Sequence, residues 1–194
     1  MHNLFILGSP RKNGNSETMA KAVAAGLVKQ GDNTVEYIRL NKLNIRPCQA
    51  CGGCNTSGNC VIKDDMSELY DKTDEADRLF LVSPIYFYAL SAQIKAYIDR
   101  CQARWSRKYL LGQKFRKDDQ RTGYLISCAA TAGDKLFDGP ILSAQCLFDT
   151  LDLRYGAPLL FKSVEPRNAV QQLPEKLSDC ERYGAKIAAE QPLI

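Results

Sequence analysis

Two stretches of this sequence hold residues whose types and spacing suit chemistry. In the first, Cys48, Cys51, Cys54 and Cys60 fall within thirteen residues of a chain that has eight cysteines. A small secreted protein would use such residues for disulfides, but in a leaderless chain of 194 residues they point to metal or redox chemistry. The second spans 4–16: a strand Leu4-Phe5-Ile6-Leu7, a turn Gly8-Ser9-Pro10-Arg11-Lys12-Asn13-Gly14-Asn15, and a helix start at Ser16. A helix beginning there aims unpaired N–H groups and a partial positive charge at the strand's end, a natural seat for a phosphate. Ser9, Asn13, Asn15 and Ser16 add short hydrogen-bonding groups, and Arg11 adds a fixed cation. The same residues also make an ordinary turn capped by Ser16, because turn chemistry and anion-binding chemistry share side chains.

What is missing narrows the second stretch. A nucleotide P-loop needs Gly-Lys-Ser/Thr at the helix start and a dinucleotide fingerprint needs GxGxxG; neither is present. With no cysteine in the turn there is no phosphatase nucleophile, and with no acidic residue beside the strand there is no receiver-type site. A phosphate monoester held without cleavage is what the loop suits. His2 is the only histidine and reads as a terminal surface residue, so no acid–base group is evident.

The elements that must position these stretches follow from hydrophobic period. Met19, Val23 and Leu27 give a helix ending near Gly31, and 34–40 alternates as a second strand. Residues 41–63, with the four cysteines, show no period, and a long structureless stretch inside a domain is usually functional. A short helix with Met66, Leu69, Tyr70 and Thr73 follows, capped by Asp64 or Asp65. The apolar run 78–84 reads as a strand buried on both faces, ending in Ile85-Tyr86-Phe87-Tyr88; Ser91 then caps a helix lined by Ile94, Ile98 and Cys101. A fourth strand at 123–130 runs into Thr131-Ala132-Gly133-Asp134. Pro140 and Gly156 bracket a helix, 157–164 is a fifth strand, and a last helix from about Pro174 carries Leu177, Cys180, Gly184 and Ile187. Cys101, Cys128, Cys146 and Cys180 read as small core hydrophobes.

Strands alternating with helices predict a doubly wound α/β sheet in one domain, 1–194, with a cysteine-rich insertion at about 41–63. Ligands of such sheets bind beyond the carboxyl ends of the strands. There 8–15 is polar, 84–88 aromatic and 129–134 small, which suits a flat aromatic ligand with a phosphate tail. No leader or membrane span is expected, so the expected location is cytoplasmic. A net charge of +4 does not argue for nucleic acid and counts against an acidic flavodoxin-type shuttle. The basic run Arg104, Arg107, Lys108, Lys114, Arg116 and Lys117 reads as a solvated or subunit-contact face, the alternative being a dock for an NADPH phosphate or an acidic ferredoxin.

The first loop, Asp64-Asp65-Met66, Ser83-Pro84-Ile85-Tyr86-Phe87 and Lys95-Ala96-Tyr97-Ile98-Asp99-Arg100 together resemble the NAD(P)H-dependent FMN reductase branch of the flavodoxin-like superfamily, most densely through residue 101. The resemblance implies a five-stranded parallel sheet of order 2-1-3-4-5 with helices on both faces, non-covalent FMN, and a homodimer or homotetramer with the flavin near an interface. It implies that Ser9, Arg11, Asn13, Asn15 and Ser16 hold the FMN phosphate. Pro84, Ile85, Tyr86 and Phe87 would border the isoalloxazine, and Thr131 and Gly133 would close its other side. The alternative for the aromatics is core or dimer packing.

Cys48-Gln-Ala-Cys51-Gly-Gly-Cys54, with Cys60 beyond, is similar to the compact motif of the iron–sulfur flavoproteins in this family, and implies a [4Fe–4S] cluster. Zinc and unoccupied, vestigial thiols are the alternatives. The expected activity is an FMN oxidoreductase with the flavin carrying the chemistry and no catalytic side chain. With a cluster, reduced ferredoxin would feed cluster, FMN and acceptor in turn. Without one, NAD(P)H would reduce FMN for a quinone or other small-molecule acceptor. A redox-sensing protein with little turnover is the reading from a different class.

Overall fold

Leu4, Phe5, Ile6 and Leu7 are all buried because their strand runs through the interior of a parallel sheet, flanked on both edges and covered on both faces. The computed structural model describes residues 1–114, 116 and 120–190; Lys117 of the basic run lies outside the described residues. In chain order the elements are β1 (His2–Leu7), α1 (Asn15–Val28), β2 (Thr34–Arg39), α2 (Met66–Glu75), β3 (Arg78–Tyr86), β4 (Ala89–Leu90) and α3 (Ala92–Arg100). There follow α4 (Gln102–Trp105), β5 (Thr122–Cys128), α5 (Asp138–Thr150), β6 (Arg154–Tyr155), β7 (Leu159–Phe161) and α6 (Pro174–Ala189).

The parallel strands lie in the order β2-β1-β3-β5, with β6 and β7 side by side in sequence along the outer edge of β5. Counted as one interrupted strand, they complete the expected 2-1-3-4-5 sheet. The fifth strand expected at 157–164 is therefore shorter and split, because Pro158 has no N–H to give the ladder. Gly156 sits in that ladder, donating to Gly123 O at 2.9 Å, and does not close α5 as expected; the left-handed residue after α5 is Asp152 (φ 56°).

Alternation along the strands divides the core between two faces. Phe5, Phe80 and Tyr124 stand in register on one face, with Phe5 and Phe80 stacked at 4.2 Å, under Met19 and Val23 of α1 and Cys180 and Ile187 of α6. Leu4, Leu79 and Leu125 face α2, α3 and α5 on the other, meeting Leu69, Ile94, Tyr97 and Leu147. The α1–α6 crossing is close because it is built on glycine. A Cβ at Gly184 would lie 2.0 Å from Val23 O, and one at Gly26 would lie 2.0 Å from Glu181 O. This crossing fixes the axis of α1, and with it the aim of its N-terminus. No described helix is long and apolar enough to cross a membrane.

Candidate functional site

Three serines tie together the carboxyl ends of β1, β3 and β5. Ser127 Oγ donates to Ser83 O at 2.7 Å, Ser91 N donates to Ser83 Oγ at 3.0 Å, and Ser91 Oγ donates to Gly8 O at 2.7 Å. Ser91 is also the expected α3 cap, accepting from Ile94 N. Gly8 is required here, because a Cβ would fall 2.1 Å from Ile94 Cγ1 and 2.8 Å from Ser91 Oγ. All three serines are buried, so the loops leave the sheet from fixed points.

The first loop is organised by a residue beyond the turn. Glu17, 1% exposed, pairs with Arg39 and with Lys21 (3.0 Å), and accepts the Asn13 backbone N–H at 2.7 Å. Burial alone would push its carboxyl up, but the Arg39 and Lys21 partners and the Asn13 amide outweigh burial and hold it at about 2. Asn13 takes a left-handed conformation (φ 55°), and its side chain accepts from Lys21 at 2.9 Å. The helix starts one residue earlier than expected, at Asn15, with Gly14 as N-cap and no side-chain cap. Ser16 lies buried in the first turn and is not the cap. The N–H groups of that turn consequently have no side-chain acceptor, the condition for meeting an anion.

Ser9, Arg11, Asn15, Ser16, Pro84, Ile85 and Tyr86 share one cavity of about 240 Å³. The loop before α1 and its first turn contribute polar residues to the walls, and the end of β3 contributes Pro84, Ile85 and Tyr86. Asn13, Phe87, Thr131 and Gly133 of the expected set are not among its walls. Asn15 lines it but spends its amide on structure, donating to Pro166 O at 2.9 Å and accepting from Val170 N at 3.3 Å. Cys128, Ala130, Val164, Glu165 and Arg167 also line the cavity and were missed in the sequence. Only Arg167, a cation three residues past the strand expected at 157–164, offers any signal. Burial pushes the Cys128 thiol up to about 12, so it is a neutral wall at ordinary pH.

The aromatic run forms a tight hairpin, with Tyr86 opposite Ala89 and Phe87-Tyr88 as its two-residue loop. Both loop residues have positive φ, 48° and 61°, a geometry normally given to Asn and Gly. Phe87 is fully exposed, and Tyr88 Oη lies 3.1 Å from where a Gly133 Cβ would be. Strained residues held on a rigid edge cluster at ligand sites.

The four motif cysteines line a second, small cavity together with Arg100 and Ala103. Left-handed Ala50, Gly52 and Gly58 curl the chain around it, and Cys54 Sγ lies 3.4 Å from the buried Ser106 Oγ. Among the described residues, no three of His, Cys, Asp and Glu converge closely enough to hold a single ion. Four thiols around one cavity are a donor set for a zinc ion or, with one thiolate per iron, for a four-iron cluster. Arg100 supports the fit: it lines the same cavity as the four cysteines, and its buried Nε–H has no partner. Its two terminal nitrogens hold Asp64 at 2.6 and 3.0 Å, Arg46 O at 2.9 Å and Ile62 O at 3.3 Å, pinning the loop at both ends.

The basic run is only in part the solvated or subunit-contact face expected: Lys114 and Arg116 are exposed, but most of its cations are engaged by carboxylates. Arg104 is buried and paired with Asp74 at 2.6 Å, Arg107 joins the same carboxylate at 3.3 Å, Lys108 meets Asp152 at 2.9 Å, and Arg116 meets Asp77 at 3.1 Å. Cys146, expected in the core, is exposed and borders a groove with Cys48 and Trp105. A larger cavity of about 520 Å³ along β2 holds none of the expected site residues; its rim carries the Lys72–Glu36 and Lys72–Glu68 pairs.

The family model described as NADPH-dependent FMN reductase matches residues 1–134. The chain belongs to this family. Within it, the chain is 40% identical over 113 residues to an iron–sulfur flavoprotein of Archaeoglobus fulgidus, a match covering 58% of this chain and 51% of that protein. It thus spans about half the length of the curated relatives it matches. Among solved structures it is similar to an NAD(P)H:quinone oxidoreductase from Methanothermobacter marburgensis, with TM-score 0.69, 15% identity and 98% of each chain covered. It also resembles an archaeal flavodoxin, with TM-score 0.56, 16% identity, and 97% and 96% coverage of this chain and that one. These likenesses establish the flavodoxin-like fold of this FMN reductase family member.

Proposed function

We propose that the chain is an FMN-dependent oxidoreductase passing electrons between a [4Fe–4S] cluster, FMN and an acceptor, within one flavodoxin-like domain, 1–194, carrying the cysteine insertion at about 41–63. The observation that carries this reading is that all four motif cysteines line one cavity against a buried, incompletely satisfied arginine. The name of the Archaeoglobus relative supports it.

Cys48, Cys51, Cys54 and Cys60 would hold the cluster. Ser9, Arg11, Ser16 and the uncapped first-turn amides of α1 would hold the FMN phosphate, with Asn13 and Asn15 shaping the loop. Pro84, Ile85, Tyr86 and Phe87 would border the ring, and Thr131 and Gly133 would close its other side. When bound, the two groups supply hydride and single-electron chemistry. The protein's part is to position and to exclude water: the serine ladder fixes the loop exits, and the neutral Cys128 thiol presents an apolar wall. Reduced ferredoxin or NAD(P)H would be the donor, and a homodimer or homotetramer would cover the exposed Phe87.

Added FMN should quench its own fluorescence on binding, and the loaded protein should oxidise reduced ferredoxin or NAD(P)H with an acceptor present. Oxidation of NAD(P)H by FMN-loaded, iron-free protein at the same rate as iron-loaded protein would favour the cluster-free reductase. Flavin binding without turnover by either donor would favour a redox sensor.

A further inference from the structure

One donor of Arg100 is unused. Its side chain is wholly buried, its terminal nitrogens are spent on Asp64, Arg46 O and Ile62 O, and its Nε–H has no partner. Interiors rarely leave such a donor unmatched, and each unmatched one calls for an explanation. The residue lines the cavity shared by Cys48, Cys51, Cys54 and Cys60, whose described walls contain no carboxylate to accept from it. Its polar walls are the four thiols and the amide side chains of Gln49 and Gln102, so a cluster seated on the thiols would bring sulfur acceptors into the cavity that Arg100 lines.

We propose that Arg100 is a positioning residue that sets the reduction potential of the cysteine-held cluster, its Nε–H donating to a cluster sulfide or cysteine thiolate. The inference rests on the cluster reading above and adds to it a residue that is not a ligand. Reduction adds one electron to the iron–sulfur unit, supplied by dithionite in a titration. No proton moves and no bond is made or broken, so the unit becomes one charge more negative. A buried N–H donor aimed at sulfur stabilises that more negative state and raises the potential. A purely structural Arg100 would pin 46 and 62 without moving the potential.

The test is an anaerobic redox titration of R100K, followed by absorption and by the paramagnetic resonance of the reduced cluster, with the FMN midpoints as internal reference. Lysine keeps the charge beside Asp64 but lacks the Nε–H. The expected result is iron, sulfide and flavin content equal to the parent, a cluster midpoint shifted to lower potential, an altered resonance signal, and unchanged FMN midpoints. An unchanged cluster midpoint and signal would overturn the proposal while leaving the cluster reading intact. If R100K does not fold, D64N/R100Q replaces the ion pair by two amides, and the same comparison decides: a lower midpoint supports the proposal and a parental one overturns it. A parent chain purified without oxygen that holds no iron or sulfide overturns the cluster reading, and this proposal with it.

Discussion

The carboxylate of Glu17 accepts the backbone N–H of Asn13 at 2.7 Å, from a position inside the first helix that is itself buried. This contact folds the loop back on the helix and turns Asn13 left-handed, leaving Ser9, Arg11 and the α1 amides to face the cavity. A carboxylate this close to the phosphate seat proposed for FMN is tolerable because Arg39 and Lys21 neutralise it.

That arrangement gives a pH signature. The Glu17 carboxyl lies at about 2 against an ordinary 4.5, so its contribution to stability is fully present above about 4.5 and is lost as pH falls toward 2. E17Q should cost about 3 kcal/mol at neutral pH, by leaving Arg39 without its partner, and should flatten the acid limb of stability against pH. Denaturant unfolding between pH 2 and pH 7 measures both; an unaltered acid limb in E17Q would contradict the assignment.

Arg11 is exposed at the rim of the cavity and offers a charge to a phosphate. R11Q should weaken FMN by about tenfold and leave riboflavin affinity unchanged, since riboflavin has no phosphate to lose contact with. Fluorescence titration with both flavins checks this; equal weakening would move Arg11 away from the phosphate.

The Phe87-Tyr88 loop holds two aromatic residues at positive φ. F87N/Y88G should raise stability by about 1 kcal/mol, by relieving that strain, while weakening flavin binding or turnover. A variant that is both more stable and equally active would contradict a flavin role for the two aromatics.

G184A places a methyl against the Val23 carbonyl at the α1–α6 crossing. It should cost about 1–3 kcal/mol and lower FMN affinity as well, because α1 cannot shift without re-aiming its N-terminus. Thermal melts with and without FMN separate the two effects.

Much of this was legible locally. The run Leu4-Phe5-Ile6-Leu7 with its turn, and the uninterrupted apolar 78–84, specify buried parallel strands and hence a binding edge. Cys146 was misread although the pattern was available: Ala144, Leu147, Phe148 and Leu151 are buried on the helical stripe, and Cys146 falls off it. The cavity walls at 164–167 come from a loop with no period, brought to the first loop by Asn15, so only the tertiary fold could place them. The pairing of Arg104 with Asp74 likewise joins residues thirty apart on different helices, beyond any local signal.

The most direct test of the two-centre reading is an absorption spectrum with iron and acid-labile sulfide assays on protein purified without oxygen. Two flavin bands over a broad iron–sulfur shoulder, with about four irons per chain, are the predicted result, and C54S should lose the iron while keeping the flavin. Flavin bands with no iron in the parent would contradict the cluster and leave a plain FMN reductase; no flavin after added FMN would contradict the account entirely.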